Sequence, residues 1–129
     1  MGQCSKKTTE IILEVVYFIE EHITEKLTVE EIAKQVYLSP AHLQRVFEFA
    51  FDISIAEYVR GRKLQKSLEM LYETEAKISD IAYEIGFEHE SSFIRSFKRE
   101  FGITPGEARK RPGCIPIVPA VIVKKEDKT

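Results

Sequence analysis

An internal repeat constrains the fold of this 129-residue chain more strongly than any other feature of its sequence. Five positions recur after 49 residues: Val29, Ile32, Ala33, Val36 and Leu38 correspond to Ile78, Ile81, Ala82, Ile85 and Phe87. Six more recur after 50 residues: Leu43, Arg45, Phe47, Phe51, Ile53 and Ser54 correspond to Phe93, Arg95, Phe97, Phe101, Ile103 and Thr104. Such a repeat predicts two copies of one supersecondary unit, with one extra residue in the second turn.

Helix start signals show where the elements of these units begin. Four residues have the polar side chain that a helix N-cap needs: Thr28, Ser39, Ser54 and Thr104. Each is followed by a glutamate three positions later or by a proline at the first helical position, and both arrangements are typical of helix starts. The alternation typical of β-strands is absent before the C-terminal tail. The sequence therefore predicts an all-α domain of about seven helices with an irregular or strand-like tail.

Each copy of the repeat is predicted to be a helix-turn-helix unit, at about residues 28–50 and 78–101. In the second copy Gly86 occupies the turn, where its conformational freedom is useful. Tyr37 stands at that position in the first copy. The two turns therefore need not be identical.

The second helix of each unit has an apolar face and a polar face. The predicted core side carries Leu43, Val46, Phe47 and Ala50 in the first unit and Phe93, Phe97 and Phe101 in the second. The outward side carries the candidate DNA-binding residues Ala41, Gln44, Arg45, Glu48, Ser91, Ser92, Arg95, Lys98 and Arg99. Arginine pairs with guanine, glutamine with adenine, and lysine or serine with phosphate. Glu48 suits either a cytosine amine or a structural salt bridge.

A linker helix is predicted over about residues 54–72, between the two units. A helix of about 18 residues is roughly 27 Å long, and successive major-groove segments on one face of DNA are about 34 Å apart. Two reading helices on one chain therefore predict one monomer on a site without a palindrome. The cations of the linker helix suit phosphate contacts and solvated or paired positions equally well: Arg60, Arg62, Lys63 and Lys66.

Charge and composition exclude several other classes. The net charge is −2, but residues 86–129 carry nine Lys/Arg and six Asp/Glu, so the C-terminal third is basic. An apolar run long enough for a membrane span is absent, and so is a secretory signal. Cys4 and Cys114 are predicted to be free thiols of a cytoplasmic protein. Catalytic, metal-binding and cofactor-binding patterns are absent, so we expect neither an enzyme nor a cofactor.

The segment "IAYEIGFEHESSFIRSFKREFGITPGEAR", residues 81–109, resembles the C-terminal helix-turn-helix signature of the AraC/XylS transcription regulators. The matching residues are Ile81, Ala82, Gly86, Phe87, Ser91, Phe93, Arg95, Phe97, Lys98, Gly102, Thr104, Pro105 and Arg109. The resemblance extends over about residues 8–111. It departs at Ala108, where the family usually places an aromatic that packs the last helix, and this predicts a looser closing helix.

The resemblance implies a bacterial regulator that binds double-stranded DNA, often an activator that contacts RNA polymerase. It places the DNA-binding domain in residues 1–111. Many members add a ligand-sensing domain, so the chain is similar either to small stand-alone activators or to members whose sensor follows. The alternative without DNA binding is a helical protein–protein interaction module whose basic face engages an acidic partner.

The tail, residues 112–129, differs from the helical part. It contains three prolines and an aliphatic cluster at residues 115–123. One interpretation is a linker and the first strand of a downstream sensor domain, which would add little to the stability of residues 1–111. The other is a tail that packs on the surface of the helical domain. The first is the expectation that we favour from sequence.

Overall fold

The computed structural model describes residues 7–118. Its seven helices are α1 (Thr8–Glu21), α2 (Val29–Gln35), α3 (Pro40–Phe51), α4 (Ile55–Glu73), α5 (Ile78–Glu84), α6 (Glu90–Phe101) and α7 (Pro105–Lys110). The described residues contain no strand. The predicted all-α class and the number of helices are therefore confirmed.

The described residues form two compact units. The first comprises residues 7–22 and 27–59, and the second comprises residues 23–26 and 60–118. Helix α4, the predicted linker, has 19 residues, begins in the first unit and ends in the second. Each unit therefore contains one copy of the repeat.

Each unit has its own apolar core. The buried residues of the first are Ile12, Val15, Val16, Ile19, Ile32, Ala33, Val36, Leu43, Phe47, Ile55 and Val59. Those of the second are Leu64, Leu68, Leu71, Ile81, Ala82, Ile85, Phe93, Phe97 and Ala108. Ala50, predicted to lie on the core side of α3, is exposed. It lies about 60° from Phe47 around the helix axis, at the edge of the buried stripe.

The predicted helix starts are confirmed. The hydroxyl oxygens of Thr28 and Thr104 accept from the backbone N–H three residues later, and the glutamate at that position accepts in return. The Ser39 hydroxyl accepts from His42 N at 3.1 Å. Ser54 makes the same reciprocal pair with Glu57. These bonds satisfy backbone donors that a helix leaves unpaired, so the sequence fixes where α2, α3, α4 and α7 begin.

The two helix-turn-helix turns begin with the same pattern of backbone hydrogen bonds. Leu38 N donates to Ala33 O and Tyr37 N to Lys34 O in the first, and Phe87 N donates to Ala82 O and Gly86 N to Tyr83 O in the second. This is the Schellman motif, in which one residue adopts a positive φ. Tyr37 has φ 59° and Gly86 has φ 98°. Tyr37 thus adopts the left-handed conformation that glycine favours. The turns still differ after this point, because the N-cap Ser39 directly follows Leu38, whereas Glu88 separates Phe87 from the N-cap His89.

We expect Tyr37→Gly to stabilise the first unit. A left-handed conformation costs a non-glycine residue roughly 1–2 kcal/mol, part of which is offset by the greater chain entropy that glycine loses on folding. Tyr37 is 89% exposed, so little packing is lost. Chemical denaturation should show a gain of about 0.5–1 kcal/mol. The reverse change, Gly86→Ala, should destabilise, and a loss from Tyr37→Gly would contradict the strain argument.

The first part of the tail packs on α4 of the second unit. The Tyr72 hydroxyl donates to Ile115 O and accepts from Ile115 N, both at 3.1 Å. Gln65 Oε1 accepts from Val118 N at 2.9 Å, and Arg62 Nη1 donates to Val118 O at 2.9 Å. Ile115 also packs against the second core. These contacts favour the second interpretation for residues 112–118, which form no strand; residues 119–123 lie outside the described residues.

Ending the chain at Arg111 should therefore lower its stability. Four hydrogen bonds and the contact of Ile115 with the core are lost, which we expect to cost about 1–3 kcal/mol. Thermal unfolding followed by circular dichroism measures the effect. A chain ending at Val118 is the matched control, because it retains all four bonds. Equal melting temperatures for the Arg111 chain and the full chain would instead support the interpretation of the tail as a linker to a downstream domain.

Candidate nucleic-acid interface

Helices α3 and α6 present corresponding exposed faces. Leu43 and Phe47 anchor α3 in the first core, and Phe93 and Phe97 anchor α6 in the second. Residues three and four apart lie on one face of a helix, so burying these pairs turns the opposite side outward. Arg45 and Arg95 lie at equivalent exposed positions. The predicted core side chains, Ala50 excepted, thus determine which side chains reach solvent.

Aromatic contacts hold both helices in place. In the second unit the ring centroid of Phe93 on α6 is 5.6 Å from that of Phe87, in the turn before the helix. In the first unit Phe47 lies 5.1 Å from Tyr58, in an edge-on arrangement. Such pairs add to the free energy gained from burial alone. They fix the rotation of each helix about its axis, and with it the direction of the exposed face.

The structure exposes most of the predicted site residues. The exposed ones are Ala41, Arg45, Glu48, Ser91, Arg95, Lys98 and Arg99. Ser92 and Gln44 are half-buried. Gln44 also has an internal role, because its Oε1 accepts from Ile55 N, the first residue of α4, at 3.3 Å. In a bidentate contact with adenine, this oxygen would have to accept from adenine N6 as well as from Ile55 N.

The cations of α4 have different roles. Lys66 pairs with Glu69 at 3.8 Å, and Arg62 donates to the tail. Lys63 Nζ donates to Ile23 O at 2.5 Å and to Glu25 O at 2.8 Å. Burial lowers the pKa of Lys63, and the charge of Glu25 opposes that shift. Three of the four candidate phosphate ligands on α4 therefore have partners within the chain.

Phe49 is exposed on α3, and sequence reasoning missed it. Its side chain is 90% exposed, whereas its neighbours Phe47 and Phe51 are buried and half-buried. Phe49 lies one turn after Arg45, so the two share the outward face. The repeat could have indicated that Phe49 lies on the outward face, because the 50-residue offset pairs it with Arg99.

Two negative observations concern the described residues alone. Residues 7–118 contain no group of three or more His, Cys, Asp or Glu side chains placed to hold a metal ion. Within the same range, every helix is too short or too polar to cross a lipid bilayer.

The chain has two helix-turn-helix units, and each exposes the polar face of its second helix. These features place it in the class of proteins with two helix-turn-helix units. A family model described as "Helix-turn-helix domain" matches residues 32–111. The regulatory protein SoxS of Salmonella typhimurium is 36% identical over 102 residues, which are 79% of this chain and 95% of SoxS. The transcriptional regulator YtdP of Bacillus subtilis is 33% identical over 97 residues, 75% of this chain but only 13% of YtdP.

Solved structures give the same result. An AraC-type DNA-binding domain regulator from Chromobacterium violaceum superposes with a TM-score of 0.77 at 28% identity, covering 82% of this chain and 97% of that protein. The DNA-binding domain of AdpA, in complex with a target DNA, shares the fold with a TM-score of 0.71 at 20% identity, covering 84% and 99%. The chain belongs to the AraC/XylS family of helix-turn-helix transcription regulators.

Proposed function

We propose that this chain is a transcription activator that recognises a double-stranded DNA sequence by placing α3 and α6 in the major groove. The observation that carries the proposal is the equivalence of Arg45 and Arg95. Both are exposed, and both lie two positions before a buried phenylalanine, Phe47 or Phe97. Two separately anchored helices that present arginine at the same position are suited to act as two recognition helices.

The outward-facing side chains divide into base-reading and phosphate-binding groups. Arg45 and Arg95, in the middle of each face, are assigned to guanine edges. Lys98 and Arg99, with the hydroxyls of Ser91 and Ser92, are assigned to phosphates.

The first face has fewer charges for phosphate binding. Glu48 repels phosphate and is assigned to a cytosine amine, and Ala41 is assigned to apolar contact with thymine. Gln44 offers its amide N–H₂ group to DNA while its oxygen supports the start of α4. Its contribution to base recognition is therefore secondary to that of Arg45.

The proposal extends to assembly and location. Because one chain carries both reading helices, one monomer occupies one asymmetric site of about two helical turns. The protein acts in the bacterial cytoplasm, and its contact with RNA polymerase converts DNA binding into activation. Transcription from a template that carries the bound site, with purified polymerase, should rise when the chain is added.

Selection of bound sequences from random duplexes tests the proposal. The full chain should enrich one asymmetric sequence and bind it with an affinity that falls as salt rises, because phosphate contacts release counterions. Sedimentation of the complex should give one chain per duplex. The absence of an enriched sequence would favour the protein–protein interaction module. Two chains bound to one symmetric site would contradict the proposal that the protein binds DNA as a monomer.

A further inference from the structure

The exposed faces of α3 and α6 differ at three of four equivalent positions. The 50-residue offset pairs Ala41 with Ser91, Arg45 with Arg95, Glu48 with Lys98, and Phe49 with Arg99. All eight side chains are exposed. Counting Lys and Arg as +1 and Glu as −1, the four positions on α3 sum to zero and the four on α6 sum to +3. Only the arginine in the middle of the face is shared.

Phe49 therefore lies where the second copy has a cation. On α6 this position suits a phosphate, because Arg99 stands beside Lys98. On α3 a benzyl group stands beside the carboxylate of Glu48, and neither group attracts phosphate. An exposed phenylalanine is favourable where an apolar group covers it, since covering it removes apolar surface from water.

The major groove offers one apolar group of this kind. Thymine alone among the four bases carries a methyl group there, and phenylalanine is among the side chains that contact it. Phe49 follows Arg45 by one helical turn, so both point away from the core of the first unit. The face of α3 thus combines a guanine donor with an apolar surface.

We propose that Phe49 is a specificity-determining residue that contacts the C5-methyl group of a thymine in the half of the site bound by the first unit. The inference rests on the proposed function, since it assigns a base to one residue of that interface. Under this assignment the two second helices have different roles. Helix α3 reads bases with few phosphate contacts, and α6 supplies most of the electrostatic attraction to DNA.

Deoxyuridine substitution tests the contact, because it removes the thymine methyl group and leaves the base's hydrogen-bonding groups unchanged. Each thymine of the selected duplex is replaced in turn, and the affinity of the full chain is measured. Besides any replacement at the thymine assigned to Ala41, one replacement should weaken binding about fourfold, the value expected for burying one methyl-sized group. With Phe49→Ala the same replacement should change affinity by less than about 1.5-fold, whereas Phe49→Leu should restore part of the discrimination.

Arg99→Ala is the matched control at the equivalent position. It should reduce the slope of log affinity against log salt by about one and retain the deoxyuridine effect. Phe49→Ala should leave that slope unchanged, because phenylalanine neutralises no phosphate. Thermal unfolding of each variant confirms that the fold is intact.

Three results would overturn the inference while leaving the proposed function intact. One is an enriched duplex at which no deoxyuridine replacement weakens binding. Another is a deoxyuridine effect that is equal in the wild-type chain and in Phe49→Ala at every sensitive thymine. The third is a Phe49→Ala variant that binds the duplex normally but no longer activates transcription, which would assign Phe49 to a protein partner. Failure to enrich any duplex would instead overturn the proposed function and the inference with it.

Discussion

Replacing Arg95 with alanine should weaken binding to the preferred duplex by about 1–3 kcal/mol and relax the preference at one base pair. Arg95 is exposed in the middle of the α6 face, where a guanidinium can reach two acceptors of a guanine. Because the core beneath it is formed by Phe93 and Phe97, the melting temperature should change little. Affinity for a set of duplexes, each altered at one base pair, measures both effects.

Lys98→Ala provides the comparison for Arg95→Ala. Lys98 is one of the residues assigned to phosphate, so its loss should weaken all duplexes to a similar extent and reduce the salt slope by about one. Arg95→Ala should instead weaken the preferred duplex more than unrelated ones. An equal loss of affinity for preferred and unrelated duplexes would show that Arg95, like Lys98, contacts only phosphate.

Replacing Arg109 with alanine should destabilise the second unit. We expect a larger loss of stability from it than from the other substitutions of charged residues that we propose. Its guanidinium donates to Leu71 O at 3.2 Å, Ala76 O at 2.6 Å and Thr74 O at 3.2 Å. These carbonyls lie at the end of α4 and in the following loop, where helix geometry leaves acceptors unpaired. Losing three hydrogen bonds from one charged group should cost about 2–3 kcal/mol.

A lowering of the melting temperature on the order of 10 °C is the corresponding thermal effect. Arg109→Lys should recover only part of the loss, because an ammonium group lacks the planar fork that reaches three acceptors. Lys110→Ala is the control on the same helix, since Lys110 is exposed. A melting temperature for Arg109→Ala within about 2 °C of the wild type would contradict a structural role for this residue.

Arg109 also explains how the last helix is held without an aromatic at position 108. A looser closing helix was expected from Ala108. In the structure Ala108 is fully buried in the second core, and the neighbouring arginine ties α7 to the end of α4. Three hydrogen bonds from Arg109, a residue that also belongs to the family signature, therefore tie α7 to the end of α4 and the loop after it.

The sequence predicted features that depend on local chemistry. Capping residues such as Thr28 and Thr104 mark helix starts because their bonds reach only three residues along the chain. The repeat predicted two units because apolar spacing follows helix geometry. The conformation at Tyr37 was harder to predict, since tyrosine seldom adopts a positive φ.

The remaining features depend on contacts between distant parts of the chain. The tail bonds join Tyr72 and Ile115, which are 43 residues apart. The bond from Ile55 N to Gln44 spans 11 residues and engages a half-buried side chain that was predicted to face DNA. Neither leaves a periodic signal in sequence. The exposure of Phe49, by contrast, follows from helical register. It could have been predicted from the repeat, which aligns Phe49 with Arg99.

The separation between buried anchors and exposed faces has a consequence for substitutions. Phe47 and Phe97 maintain the two cores, while the eight side chains aligned by the repeat lie outside them. Substitutions at these exposed positions therefore cost little in folding, and the two faces can differ while the two cores are maintained. The arginine shared by positions 45 and 95 stands beside three pairs that differ between the copies, so one fold accommodates two differently composed faces.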